Sequence, residues 1–66
     1  MKTRDIYNAT DIDDDTLTIT QIENPPTPYL PDFLFRIESD DGDRAVLLSW
    51  EQATRLVMAI AEAQNA

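Results

Sequence analysis

The chain has 66 residues, no cysteine and no histidine, and 13 acidic against 5 basic side chains, a formal charge of −8. A chain of this length makes one domain and buries only about 60% of its unfolded surface. The charge opposes direct binding to nucleic acid, where Lys and Arg must displace counterions, and opposes anionic membrane surfaces.

Residues 1–15 carry few apolar side chains: Ile6, Tyr7, Ala9 and Ile12. We expect an acidic N-terminal arm there. Residues 16–23, TLTITQIE, alternate threonine with Leu17 and Ile19. Period two with β-branched residues predicts a strand. Ile22 falls off the Leu17/Ile19 parity, so an end or a bulge is expected near Gln21. Pro25, Pro26, Pro28 and Pro31 follow, a density that excludes helix and central strand alike. They predict a stiff extended connection, with Tyr29 and Leu30 capping one end of the core.

Residues 33–50 are the most informative. With Asp41-Gly42 as a two-residue hairpin turn, Asp40 faces Asp43, and the pairs Ile37–Val46, Phe35–Leu48 and Phe33–Trp50 share one face. The other face carries Leu34, Arg36 and Glu38 with Ala45, Leu47 and Ser49. A helix then begins. Ser49 and Gln52 have the spacing of a capping box, and Glu51 sits in the first turn. Trp50, Ala53, Leu56, Val57, Ile60 and Ala61 lie on one broad helical face.

The expected architecture is therefore α+β, one domain over residues 1–66. A three-stranded antiparallel sheet over residues 16–48 (β-β-β-α) has one C-terminal amphipathic helix, residues 49–65, packed on one face. Phe33, Phe35, Ile37, Val46, Leu48, Leu17 and Ile19 would meet Trp50, Ala53, Leu56, Val57 and Ile60 in the core. Leu34 and Leu47 stay on the uncovered face, which makes them the candidate face for a homodimer, since small domains often complete a core by association.

This topology gathers Asp11, Asp13, Asp14, Asp15, Asp40, Asp41 and Asp43 at one end of the sheet. Three uses compete for that acidic pole. It can keep the protein soluble. It can hold a cation: Asp11, Asp13 and Asp15 match the D-x-D-x-D opening of a calcium loop. However, the sixth position is Thr16 instead of glycine, and the twelfth is Ile22 instead of glutamate. Finally, it can mimic a phosphate track and occupy the basic surface of a nucleic-acid-binding protein. Tiny, acidic and free of cysteine, the chain resembles in general character the inhibitors that phages encode against host enzymes, a likeness of type covering no motif.

No catalytic site is expected. General acid–base work would fall to solvated carboxylates or tyrosine, and Ser49 has no base near it. No metal site or cofactor is expected either. The lack of cysteine favours a cytoplasmic setting, no run approaches the roughly 20 apolar residues of a membrane span, and residues 1–11 lack the apolar stretch of a signal peptide. The expected function is that of a non-enzymatic acidic binding protein, an inhibitor or modulator of a basic protein partner, in the manner of a DNA mimic. The alternative is a small homodimeric structural or accessory domain whose acidity serves only solubility. A weak divalent-cation module comes third.

Overall fold

The computed structural model describes residues 2–23 and 32–66. The sheet has four strands, one more than the alternation predicts. They are β1 (Lys2–Thr10), β2 (Thr16–Glu23), β3 (Phe33–Glu38) and β4 (Arg44–Leu48), and the helix α1 (Trp50–Gln64) follows. The strands form an antiparallel meander in the order β1-β2-β3-β4. The class α+β holds, while the three-stranded sheet does not.

The extra strand is the N-terminal arm, and its chemistry explains why it carries no apolar alternation. β1 is an edge strand, and polar side chains join it to β2 in addition to the backbone ladder. Arg4 Nη2 donates to Gln21 Oε1 at 2.8 Å, and Thr20 Oγ1 donates to Asp5 Oδ1 at 2.7 Å. Asn8 Nδ2 donates to Thr18 Oγ1 at 3.0 Å, and the hydroxyls of Thr10 and Thr16 pair at 3.0 Å. A register shift between Asp5 and Tyr7 also breaks the period of two within β1. The bulge thus lies in β1, opposite the threonine strand. β2 itself runs unbroken through Ile22 to Glu23, and Ile22 simply points to the face opposite Leu17 and Ile19.

The β3–β4 register corrects the expected turn. Phe33 pairs with Leu48, Phe35 with Val46 and Ile37 with Arg44, two residues away from the predicted pairing. The turn sits one residue earlier. Gly42 N donates to Ser39 O, the Ser39 hydroxyl donates to Gly42 O, and Asp40-Asp41 occupy its centre. Gly42 follows in a left-handed conformation (φ 117°) that suits a residue without Cβ. A slip of two keeps every side chain on its own face, so the apolar set is preserved. Trp50 is not a cross-strand partner of Phe33, but it begins the helix with its ring centroid 5.8 Å from that of Phe33.

The helix start agrees with its sequence signature. Gln52 N donates to Ser49 Oγ at 3.2 Å, and Ser49 N donates to Gln52 Oε1 at 2.9 Å, completing the capping box. Asp32 adds an anchor. Its carboxylate accepts from Trp50 N at 2.8 Å, its carbonyl accepts from Ile22 N, and its own N–H donates to Leu48 O. One residue therefore ties β2, β4 and the helix entry together. Beyond that corner the helix packs loosely. Among the described residues no hydrophobic side chain is buried, so the expected core is an open contact and not a closed interior. The proline connection, with Tyr29 and Leu30, lies outside the described residues.

Candidate functional site

In a meander, alternate turns lie at the same end of the sheet. The loops after β1 and after β3 are such a pair, and Thr16 and Glu38 at their bases are direct cross-strand partners. Strands in one sheet lie about 4.8 Å apart, so the two loops sit two strand spacings from each other. The structure thereby brings Asp11, Asp13, Asp14 and Asp15 to the same end as Asp40, Asp41 and Asp43.

The β1–β2 loop is built by its own first aspartate. Asp11 Oδ1 accepts the N–H of Asp13 at 2.8 Å and of Asp15 at 3.0 Å. Asp11 N donates to Asp15 O, and Asp14 N donates to Asp11 O. This is the local side-chain-to-backbone bonding that makes Asp a turn residue. Asp14 takes a left-handed φ of 64°, which Asp tolerates better than most residues. Asp11 is thus a scaffold residue, with Asp13 and Asp14 exposed at the tip. The D-x-D-x-D spacing serves loop closure here, with Asp11 Oδ1 turned to backbone N–H groups. Among the described residues no three His, Cys, Asp or Glu side chains form a group fit to hold a metal ion.

No pole aspartate has a basic partner in the ion pairs found among the described residues, which join Arg4 to Glu23 and Arg36 to Glu38. The charge of the two loops is therefore left facing solvent. Sequence reasoning passed over Ile12, which stands between Asp11 and Asp13 and is 99% exposed. Its signal was its place: an isoleucine within an aspartate run cannot reach a core.

Leu34 and Leu47 share the sheet face away from the helix, as expected, and the two-residue slip makes them direct cross-strand partners. Leu34 is half-buried, and Leu47 is 56% exposed. The larger apolar exposure lies on the other face, where Ile19, Phe33 and Phe35 look across an open groove at the helix.

No family model matches this chain, and no curated protein or solved structure matches it. No helix among the described residues is long and apolar enough to cross a membrane.

Proposed function

We propose that the protein is a non-enzymatic acidic binding protein whose aspartate loops dock on a basic protein surface, one that can otherwise hold a nucleic-acid backbone. The observation behind this proposal is the convergence of seven aspartates from two hairpin loops at one end of the sheet, outside the ion pairs of the described residues. A charge of −8 concentrated in this way gives the molecule direction in the field of a cationic partner and speeds encounter. Ile12 adds a short-range contact: a protruding apolar side chain ringed by charge resembles the centre and rim of a protein interface. It gives a protein partner something that pure phosphate mimicry does not need.

A partner recovered from the native host permits the test. Changing Asp13, Asp14 and Asp15 together to Asn slows association, and added salt weakens the wild type more than the triple variant. Ile12→Ser acts mainly on dissociation and is insensitive to salt. Nucleic acid competes for the partner if the two share a surface. An affinity unmoved by salt and by the triple substitution would leave acidity with a solubility role only, and the homodimeric accessory domain would then be the better account.

A further inference from the structure

The helix and the sheet leave an apolar groove of about 410 Å³ between them. Ile19, Phe33 and Phe35 line its sheet side, and Trp50, Ala53 and Val57 line its helix side. Trp50 is 61% exposed and Val57 is 66% exposed. At 100° per residue, the apolar arc from Leu56 through Val57 and Trp50 to Met58 covers roughly 200°, about twice the stripe a helix needs to pack on one layer. A helix with so wide an arc has room for two apolar neighbours, and its own sheet is one of them.

The surface area measures how much covering is missing. The chain exposes 5490 Å². A compact monomer of this mass exposes about 4,200 Å². The excess, roughly 1,300 Å², belongs to the whole chain, Ile12 and the loops included, and sets an upper bound on what the groove adds toward the about 800 Å² that each partner buries in a standard interface. The radius of gyration, 13.4 Å, likewise exceeds the about 11 Å expected of a compact domain of this length.

We propose that the groove is occupied by helix α1 of a second copy of this chain, in a two-fold homodimer. Charge selects the place. Two chains of −8 repel over most of their surfaces and meet at least cost where neither carries charge. No Asp, Glu, Lys or Arg lines the groove. Its Phe33–Trp50 corner also lies at the end of β3 away from Asp40, where screening over about 8 Å leaves little of the repulsion between the acidic loops. Shape fits as well. A two-fold interface must be self-complementary, and this patch holds both a ridge, Trp50 and Val57, and a hollow over small Ala53. A basic partner, by contrast, would gain nothing from its charge here. The dimer face is therefore the helix side of the sheet and not the Leu34/Leu47 side, and this holds whether or not the acidic loops bind a partner.

Sedimentation and thermal melting of the wild-type chain test the proposal. The expected mass at micromolar concentration is that of two chains, and the melting temperature rises with protein concentration because dissociation accompanies unfolding. Trp50, the sole tryptophan, is shielded from acrylamide in the dimer. Val57→Glu places a charge in the apolar contact and raises the dissociation constant about 100-fold or more, while Leu47→Asp leaves the dimer intact. If Val57→Glu fails to fold, the wild-type mass, concentration dependence and Trp50 shielding still decide. A folded wild-type monomer whose melting ignores concentration overturns the proposal, as does a dimer that Leu47→Asp dissociates and Val57→Glu does not.

Discussion

The two hairpins of this small sheet solve the same problem by opposite means. The β1–β2 hairpin satisfies itself. Polar side chains hydrogen-bond across several of its pairs, its loop is closed by Asp11, and Thr18, the one buried residue among those described, has its hydroxyl paired with Asn8. The β3–β4 hairpin and the helix depend on burying apolar surface that one copy of the chain leaves partly in water. Hydrogen bonds are local and can be completed within a hairpin, whereas hydrophobic stabilisation grows with the area removed from water. Below about 70 residues one chain has little area to remove.

Substitutions can break this contrast. The largest effect is expected in the apolar half. Phe33→Ala removes the ring against Trp50 and the partner of Leu48, and it should cost about 3 kcal/mol in a urea titration at fixed protein concentration. A loss below about 1 kcal/mol, the level of an ordinary point substitution, would mean that the groove contributes little to the fold. In the polar half, Asp11→Ala leaves two backbone N–H groups without their acceptor. Water can replace part of that, so about 1–2 kcal/mol is expected, with faster amide exchange at Asp13 and Asp15. If Asp11→Ala proved as costly as Phe33→Ala, the polar hairpin would be the main source of stability and the contrast would be reversed.

Two smaller effects sharpen the picture. Ser49→Ala should lower stability by about 1 kcal/mol through loss of the cap, with Asp32 still holding Trp50 N. Asp32→Ala in the same background tests that backup, since the pair should then cost more than the sum of the single changes. Smallest of all, Asp13→Asn with Asp14→Asn should leave the melting temperature almost unchanged or slightly raised, because neither carboxylate is in an ion pair among the described residues and the changes remove repulsion between like charges. A marked loss would show that the loop tip has a structural role.

Much of this architecture is legible in the chain. Alternation locates β2, β3 and β4, the Ser49–Gln52 spacing locates the helix start, and antiparallel connection suffices to bring the aspartate loops to one end. β1 escapes such treatment because polar residues fill most of its length and a bulge between Asp5 and Tyr7 interrupts its period. Ile12 is signalled only by its place within the aspartate run, and its full exposure shows once the loop around it is seen.

What the sequence by itself determined is the set of faces: which side chains share a side of the sheet, where the helix begins, and which end carries the charge. These follow from periods of 2 and 3.6 residues and from caps, all of them local rules. Only the tertiary structure decided the β3–β4 register and the openness between helix and sheet. A slip of two residues leaves every side chain on its original face, so alternation cannot detect it, and the placing of the turn on Asp40-Asp41 instead of Asp41-Gly42 selects the pairing. Whether a helix closes over a sheet depends on how its first turn is anchored and on how much area lies beneath it. Here Asp32 and Ser49 hold one corner, and beyond it the apolar arc from Leu56 to Met58 is left open to the groove.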